Sequence, residues 1–524
     1  MSKAYFSDFR AYVDELEKCG KLYRWKGPVN KDTELMPLMR LQYRGLADEN
    51  RRALLFENIS DSKNKMYDSK VATGVYGSSR DILALGMGCE NSGDIYEKWH
   101  AAVVRPMDPR RVNNAPVQEE VYSGVTLKEF ALTRLPAPVE EPGFSCGIRV
   151  TAPFITQDPI SGVRNVGMYS GHFRGDHKLI AGIARTHHAM LYHYPSAAQC
   201  REPLPVAIVL GSLPDITYVS SANLPYGIDE IAVAGAIRGR PVDMVPCKTV
   251  PLEVPAEAEI VIEGEISLDA MERGEPFSDY PGYLMTERGL RPVIEVKAIT
   301  RRRDAIFTAI LVGLPPSESN GISRTCREMM LYNFLKYSCN LPEVLEVCCP
   351  EMGGGWNWWV IRMAKSHPSK PKQALQAASG MDTTNKVIVV VDEDIDPKDP
   401  EMVTWAISFA MQPHRDVQII TGRSPLLDPS AYALMTHPEE RFYPPPVGCG
   451  GLLIDATRKG KYPPIGLPKK PYMDRALELW REARMPELKL KSPWHGYPLD
   501  LWTAQDDALA QAVAAGDYFA SRAK

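Results

Sequence analysis

The middle of the chain carries the feature that most restricts the fold, a series of short runs rich in β-branched residues between about residues 145 and 310. The runs are IRVTAPFI, VAIVL, AEIVIEGEI and PVIEVKAIT, and proline and glycine separate them. Short apolar runs bounded by turn residues are typical of an antiparallel sheet or barrel. The central part of the chain is therefore predicted to be a β domain.

Both flanks of this region show a mixed pattern of helices and buried strands. A first helix is predicted, with Ser7 as its cap and Gly20 at its end, because apolar residues recur there at helical spacing. Those residues are Phe6, Phe9, Tyr12, Val13 and Leu16. After residue 320 or so, the helical REMMLYNFLKYS and the strand-like KVIVVVDEDI predict a second α/β layer. A last helix is predicted after Thr503, with Leu509, Val513 and Gly516 along one face.

The predicted fold is thus mixed, with α/β parts on either side of a β domain. The boundaries are expected at 1–115 for an N-terminal α/β domain, 116–315 for the central domain, 316–480 for a C-terminal α/β domain and 481–524 for a helical tail. The proline-rich passage RLPAPVEEPGF at 134–144 is interpreted as a boundary or an exposed connection.

Composition narrows the choice of partners. The 61 basic and 65 acidic residues are interleaved and sum to a formal charge of −4, so no basic surface for nucleic acid or an anionic membrane is expected. The first residues lack a basic stretch followed by an apolar run, and no window approaches about 18 uncharged apolar residues. The protein is predicted to be cytoplasmic, without nucleic-acid or membrane partners.

The densest cluster of polar residues is NVGMYSGHFRGDHKLIAGIARTHH at 165–188, which holds four of the ten histidines. Neutral imidazole binds metals, so His172, His177, His187 and His188 raise the possibility of a site. Surface or hydrogen-bonded core histidines are the alternative. A second candidate is MERGEPFSDYPGY at 271–283, which suits either a general acid on a loop or a solvated turn.

Three other motifs have simpler interpretations. GGGW at 353–356 lacks both nucleotide-binding fingerprints and predicts a tight turn. The acidic residues that end VIVVVDEDID at 387–396 are interpreted as caps of the next helix, although ligands also bind at such strand ends. Trp356, Trp358 and Trp359 are interpreted as packing or subunit-contact residues.

Taken together, these segments resemble the UbiD family of prenylated-FMN-dependent decarboxylases and carboxylases along nearly the whole chain. The resemblance rests on the order of SDFRAYVDELEKCGKL, NVGMY, LPYGIDEIAVAGAIRGRPVDMV, AEIVIEGEI, PFSDYPGY, VVVDEDIDPKDPEMVTWAISFAMQPHRDV and LLDPS. It implies that the central domain is a split β-barrel of the flavin-reductase type and that the C-terminal region forms a homodimer or homohexamer.

The resemblance also implies a set of site residues. Asn165, His188 and Glu230 match the family's ligands for a divalent ion, Mn²⁺ or else Mg²⁺ or Fe²⁺, which bridges the protein to the cofactor phosphate. A nearby K⁺ would use backbone oxygens around Val166, Ser220 and Ala222 together with Glu230. The residues expected to line the prenylated FMN are Asn165, Val166, Gly167, Met168, Tyr169, Ser170, His187, His188, Ser220, Ser221 and Glu230.

The chain departs from the family pattern at the residues around the proton donor. Ser170 and Gly274 occupy the positions of a paired arginine and glutamate, whereas Asp279 keeps the position of the proton donor. Removing both charges together avoids an uncompensated buried charge. Arg174 with Glu275 or Glu272 could replace the pair, but strand alternation argues against a shift of four residues. Asp279 is the predicted acid, unsupported by an arginine–glutamate pair, and Glu275 is the second catalytic candidate.

The implied reaction is reversible decarboxylation of an aromatic or α,β-unsaturated acid, in which Asp279 protonates the carbon that loses CO₂. The missing pair suggests a polycyclic arene, a hydroxylated aromatic acid or an aromatic acyl thioester as substrate. A flavin prenyltransferase would supply the cofactor. A flavin-binding oxidoreductase and a non-catalytic subunit of a carboxylase complex remain alternatives.

Overall fold

A computed structural model describes residues 5–285, 289–424, 427–432 and 449–519 of the chain. These residues pack into two compact units. The described residues within 1–333, 351–356 and 427–429 form the first unit, and those within 334–350, 357–426 and 430–524 form the second. Leu426, in the LLDPS segment, and residues 520–524 of the predicted tail lie outside the described residues. The predicted domain boundaries stay a prediction.

The first unit opens with a small sheet flanked by helices. In chain order its elements are α1 (Phe9–Lys18), β1 (Leu22–Asn30), α2 (Leu35–Gly45), β2 (Ala53–Ser60), β3 (Met66–Tyr67), β4 (Lys70–Thr73), α3 (Arg80–Gly86), α4 (Ile95–Val104) and β5 (Arg110–Arg111). Helix α1 buries Phe9, Tyr12, Val13 and Leu16, as their spacing predicts. Its cap is Asp8, which accepts from the Ala11 N–H, and the predicted Ser7 cap is wrong.

The central region contains the barrel. Its elements are β6 (Glu120–Ser123), β7 (Arg149–Gln157), β8 (Arg164–Phe173), β9 (Lys178–Gly182), α5 (Tyr194–Cys200), β10 (Leu204–Leu210), α6 (Pro214–Ser221), α7 (Glu230–Arg238), β11 (Asp243–Pro246), β12 (Glu253–Pro255), β13 (Ile260–Arg273), β14 (Phe277–Ser278), β15 (Leu284–Met285), β16 (Leu290–Arg301), β17 (Ile306–Thr308) and α8 (Glu318–Asn333).

Six antiparallel strands close the barrel in the order β13-β10-β7-β8-β9-β16, because β16 also pairs with β13. Strand β6 extends it beyond β16. The small sheet has the order β1-β2-β4-β17, with β3 beside β2. One apolar core joins this sheet to the barrel and contains Phe56, Phe154 and Ile262. The predicted β domain with α/β surroundings is confirmed.

The second unit contains an α/β sheet. The elements from residue 344 onwards are β18 (Val344–Cys348), β19 (Trp358–Met363), α9 (Lys370–Met381), β20 (Val387–Asp392), α10 (Pro400–Ala410), α11 (Pro413–Asp416), β21 (Val417–Thr421), α12 (Pro429–Tyr432), β22 (Gly450–Ala456), α13 (Lys470–Glu482) and α14 (Ala504–Ala514). The strand order is β18-β19-β20-β22-β21, and β20 lies parallel to both neighbours. The predicted α/β layer is therefore present.

Two details of this region differ from the prediction. Asp392 and Asp394 bind Arg458 instead of capping a helix, and Asp399 caps α10. Thr503 caps α14 in a capping box with Asp506, as predicted, but the helix ends at Ala514, before Gly516.

The glycine-rich GGGW segment forms the predicted turn. Gly354 and Gly355 have φ values of +64° and +89°, a backbone conformation that favours glycine. Trp356 and Trp359 are each only 2% exposed within the chain, whereas Trp358 is 38% exposed. Of the three tryptophans, only Trp358 is thus available for the predicted subunit contact.

In the part of the chain that the structure describes, no helix combines the length and the hydrophobicity that crossing a membrane requires.

Candidate active site

Strand β8 carries the first part of the candidate site. Alternation places Asn165, Gly167 and Tyr169 on one face of the strand. A Cβ at Gly167 would lie 2.1 Å from the ring of Tyr169, so only glycine lets this tyrosine lie back along the strand. The Asn165 amide nitrogen is 3.4 Å from the Tyr169 hydroxyl, and the Ala189 N–H lies near the same oxygen. The tyrosine therefore lies close to both Asn165 and the residue that follows His188.

Glu230 approaches the same strand from α7, of which it is the first residue. It is 4% exposed, and its Oε2 accepts a hydrogen bond from the Val166 N–H at 3.1 Å. Burial above all, together with the nearby charge of Asp229, raises the pKa of Glu230 to about 8. A carboxyl held in this way would ionise readily only beside a cation.

An ion pair fixes the residues immediately before these two candidate ligands. The Arg164 guanidinium lies 3.1 Å from Asp229, which also caps α7 through the Ile231 N–H. Arg164 lies 3.6 Å from Glu253 as well. The pair thereby connects the start of β8 to the start of α7.

The two adjacent histidines have different surroundings. His187 stacks on Tyr169 at 5.3 Å between ring centroids, and burial lowers its pKa to about 4. His188 is half-buried at the start of a π-helical turn, Ala189–His193, and meets Tyr226 edge-on at 5.5 Å. Burial lowers the pKa of His188 too, which favours the neutral imidazole that binds metals.

These residues fit a divalent cation through their chemistry. A buried carboxylate, an amide oxygen and a neutral imidazole form a donor set for a hard or borderline ion. Among the described residues, no three His, Cys, Asp or Glu side chains gather as a metal site, so this set depends on the amide of Asn165. The structure places Glu230 against the backbone of Val166, next to Asn165. That His188 completes the set stays a prediction.

The other residues predicted to line the cofactor lie on β8 and at the end of α6. Ser220 and Ser221 both donate to the Thr217 carbonyl, at 2.8 and 3.0 Å. The Ala222 carbonyl accepts from the Leu224 N–H at 2.9 Å. Ser170 lies with its hydroxyl 3.5 Å from that of Thr151. Met168 is half-buried on the opposite face of β8 from Tyr169. The potassium site stays a prediction.

Asp279 lies in the turn of the β14–β15 hairpin. The Gly282 N–H donates to the Asp279 carbonyl at 2.8 Å, and Gly282 has a φ of +88° that favours glycine. The Tyr280 N–H donates to the Asp279 carboxyl at 2.8 Å. The side chain is half-buried, and burial raises its pKa, while the charges of Arg149 and Arg291 act in the opposite direction.

A buried arginine–glutamate pair lies beside this hairpin, contrary to the expectation that none supports Asp279. Arg149 binds Glu140 through two contacts of 2.8 and 2.6 Å, and both side chains are less than 10% exposed, at 6% and 8%. Glu140 belongs to the proline-rich passage interpreted as a boundary or an exposed connection. An exposed connection is wrong for residues 135–138, which are buried, whereas the boundary stays a prediction.

A second pair lies nearby, between Arg174 and Glu275 at 2.8 Å, and Glu272 is 3.4 Å from the same arginine. Arg174 follows the last residue of β8, so strand alternation does not restrict its side chain. The role of this pair in place of the family's pair stays a prediction. The position of Gly274 is buried, and Arg291 passes over it, 3.6 Å from where a Cβ would lie.

His172 is part of this end of the site, and sequence reasoning identified only the cluster to which it belongs. It faces Arg149 across the β7–β8 pair and meets Phe277 edge-on at 5.0 Å. Burial, together with the charges of Arg149 and Arg291, lowers its pKa to about 3. The imidazole is therefore neutral at physiological pH.

Two aromatic rings and one arginine lie next to the Asp279 hairpin. The Tyr280 ring meets Trp356 edge-on at 5.0 Å, and the Arg327 guanidinium lies 5.4 Å from the centre of the Trp356 ring. Burial lowers the pKa of His187, and the charge of Arg327 adds to this effect. Burial raises the pKa of Tyr280, and the charge of Arg327 partly opposes that rise. Arg327 thus acts electrostatically on both His187 and Tyr280.

Comparison with known proteins gives a consistent result along the chain. Three domain families described as the N-terminal, Rift-related and C-terminal domains of 3-octaprenyl-4-hydroxybenzoate carboxy-lyase match residues 13–102, 110–315 and 322–456. An uncharacterized protein of Aquifex aeolicus is 32% identical over 482 residues, which cover 87% of this chain and 93% of the relative.

Two solved structures are similar over most of their length. The UbiD-class enzyme HmfF from Pelotomaculum thermopropionicum, an evolved dimeric form in complex with prFMN, has a TM-score of 0.74 and 30% identity and covers 86% of this chain and 95% of its own. The vanillic acid decarboxylase of Sedimentibacter hydroxybenzoicus, in closed form, has a TM-score of 0.76 and 26% identity and covers 91% and 100%. With three matching domains and a relative at this identity, the chain belongs to the UbiD family of carboxy-lyases.

Proposed function

We propose that this protein is a prenylated-FMN-dependent enzyme that reversibly decarboxylates an aromatic or α,β-unsaturated acid. The observation that carries the proposal is the Asp279 hairpin, in which burial raises the pKa of a carboxyl that two arginines face. A carboxyl kept neutral near the working pH can deliver a proton to carbon. The prenylated flavin, when bound, would supply the electron sink for the loss of CO₂.

The residues of β8, α6 and α7 would bind the cofactor. Asn165, His188 and Glu230 would hold Mn²⁺ or a similar ion against the phosphate, and the cation would stabilise the ionised form of Glu230. His187 stacked on Tyr169 would form one wall, and backbone oxygens at Val166, Ser220 and Ala222 would suit K⁺. The bound prFMN of HmfF supports this assignment of the cofactor.

The residues of the hairpin would orient the substrate and exclude water. Phe277 and Tyr280 flank Asp279, and the Tyr280 N–H holds the carboxyl in place. Glu275 is the second candidate for the acid. A hydroxylated aromatic acid is the favoured substrate class, since vanillic acid and 3,4-dihydroxybenzoic acid decarboxylases are among the structural neighbours. A cytoplasmic homo-oligomer supplied by a flavin prenyltransferase completes the proposal.

The test begins with anaerobic co-expression with a flavin prenyltransferase, followed by native mass spectrometry and absorption spectroscopy for cofactor, metal and subunit number. The loaded protein is then incubated in D₂O with vanillic acid and 3,4-dihydroxybenzoic acid, with their methyl esters as controls. We expect CO₂ release and deuterium at the vacated carbon for the acids alone. A protein that carries prenylated FMN and metal but neither releases CO₂ nor exchanges deuterium with any aromatic or unsaturated acid would contradict the proposal.

A further inference from the structure

The Glu140–Arg149 pair touches the acid hairpin at two places. The Arg149 guanidinium donates to the Ser278 carbonyl at 2.9 Å, one residue before Asp279. The same group lies 4.9 Å from the centre of the Phe277 ring, two residues before Asp279. A buried guanidinium with a bidentate carboxylate partner has little freedom to move. The backbone that leads into Asp279 is therefore held by one side chain of β7.

The pair lies in the wall of a small polar pocket. The pocket is lined by Glu140, Arg149, His172, Glu275 and Phe277 among others. His172 does not compensate the positive charge of Arg149, because its imidazole is neutral. Glu141 also lies nearby, and burial raises its pKa. Glu140 is the carboxyl group that contacts Arg149 directly, at 2.8 and 2.6 Å.

Several groups in the described part of the chain act on the Asp279 carboxyl. Burial has the largest effect and raises its pKa, as does the charge of Glu140, whereas the Tyr280 N–H and the charges of Arg149 and Arg291 lower it. Glu140 therefore has two effects with the same sign. It opposes ionisation of Asp279 by its own charge, and its bidentate contact occupies the guanidinium of Arg149, whose charge favours ionisation of Asp279.

We propose that Glu140 and Arg149 are positioning residues for the Asp279 acid, which hold the hairpin in place while Glu140 keeps Arg149 from binding the acid. The proposal rests on the proposed function, since it concerns how the same acid is kept ready. It does not make either residue a catalytic group, because each acts through the hairpin.

The decisive variant is Glu140→Gln, which keeps the shape of the side chain and removes its charge. Arg149 then lacks its counter-charge, so we expect the pKa of Asp279 to fall by about 1 unit or more. The measurement is a ¹³C-NMR titration of protein labelled at aspartate carboxyls, without cofactor, in which the Asp279 signal is identified by its loss in Asp279→Asn. In loaded protein, the alkaline limb of the pH–rate profile should move to lower pH by the same amount.

A double variant, Glu140→Gln with Arg149→Met, guards against misfolding of the single variant, because removing both members of a buried pair leaves no unpaired charge. We expect the Asp279 titration to return towards that of the unaltered protein. The matched control is Glu295→Gln, which removes a carboxylate 3.2 Å from Lys178 at the barrel surface and should leave the titration unchanged.

The outcomes separate the two proposals. An unchanged Asp279 titration in Glu140→Gln overturns the positioning role, even if the enzyme decarboxylates its substrate. A uniform loss of rate at all pH values with no shift of the limb also overturns it, because a purely structural pair would behave in that way. A shifted titration in a protein that never turns over any acid would support the positioning role and count against the proposed function.

Discussion

The candidate site has a proposed metal end, with Asn165, His188 and Glu230, and an acid end, formed by the Asp279 hairpin and its arginines. The two ends differ in whether protein side chains compensate the buried charges. At the proposed metal end, Glu230 is a buried carboxyl whose pKa is raised to about 8, and the nearby Arg164 is paired with Asp229. At the acid end, Arg149 and Arg174 are each paired with a glutamate, at 2.6 and 2.8 Å. Among the described residues, Glu230 therefore forms no ion pair, whereas both arginines of the acid end do.

This difference predicts how strongly each end depends on bound metal and cofactor. The metal end would gain its cation from a ligand, so its electrostatics should change strongly when metal and cofactor bind. At the acid end, side chains of the protein compensate the charges. The pKa of Asp279 should therefore depend on those side chains and change little when metal and cofactor bind. Four experiments test this contrast, from the largest expected effect to the smallest.

The largest effect is expected for Asp279→Asn, which removes the transferable proton but keeps the shape of the hairpin. Turnover and deuterium incorporation should fall together by about 10²–10⁴-fold, as for loss of a general acid. Flavin and metal content should stay constant, because the acid end does not hold the ligand. Asp269→Asn, at an exposed position on β13, is the control. Exchange at the unaltered rate in Asp279→Asn would move the acid elsewhere, with Glu275 tested next.

Glu230→Gln is expected to lose the metal and the flavin, which Asp279→Asn should retain. Removing the carboxylate should weaken Mn²⁺ binding by about 100-fold and release the flavin, while circular dichroism shows an intact fold. Metal analysis and flavin absorbance of the purified protein measure both losses. Glu265→Gln, which removes a surface partner of Lys297 at 3.1 Å, should retain both ligands. Full flavin occupancy in Glu230→Gln would refute the metal bridge.

The pH dependence of the metal-free protein should reveal the same carboxyl. Glu230 ionises near its ordinary pKa when unfolded but at about 8 when folded, so the folded state binds the extra proton. Its contribution to stability is present at low pH and is lost as the pH rises towards 8, by an amount on the order of a few kcal/mol. Urea unfolding with and without Mn²⁺ should show the loss and its reversal. If metal-free Glu230→Gln lost stability over this range as the unaltered protein does, another group would be responsible.

The smallest effect is expected for Arg164→Met, which breaks the pair that fixes the starts of β8 and α7. Mn²⁺ affinity should fall by about 10-fold, as for other residues that orient metal ligands. Arg111→Met is a close control, since Arg111 lies 3.3 Å from Glu253, which Arg164 also approaches, but is 67% exposed. Isothermal titration with Mn²⁺ compares the two variants. Equal affinities would show that the pair with Asp229 does not position the ligands.

Local sequence patterns correctly predicted the features that depend only on neighbouring residues. The β-branched runs predicted the barrel, because alternation of buried and exposed side chains is a local property of a strand. The capping box at Thr503 and the turn at GGGW were predicted for the same reason. The resemblance to the family supplied Asn165, His188, Glu230 and Asp279 as candidates, and their assignment remains a proposal.

Tertiary structure decided the pairings of charges. Glu140 and Arg149 are nine residues apart in sequence, and neither the proline-rich passage nor the start of β7 indicates that they pair, because a bidentate contact depends on where the turn between them directs each side chain. The contact of Arg149 with Ser278 spans 129 residues, and that of Val166 with Glu230 spans 64. Burial of the carboxyls, which sets their pKa values, is likewise a property of the whole packed unit. The sequence by itself therefore determined the family, the barrel and the candidate residues, whereas only the folded chain decided which charges are compensated internally and which call for a ligand.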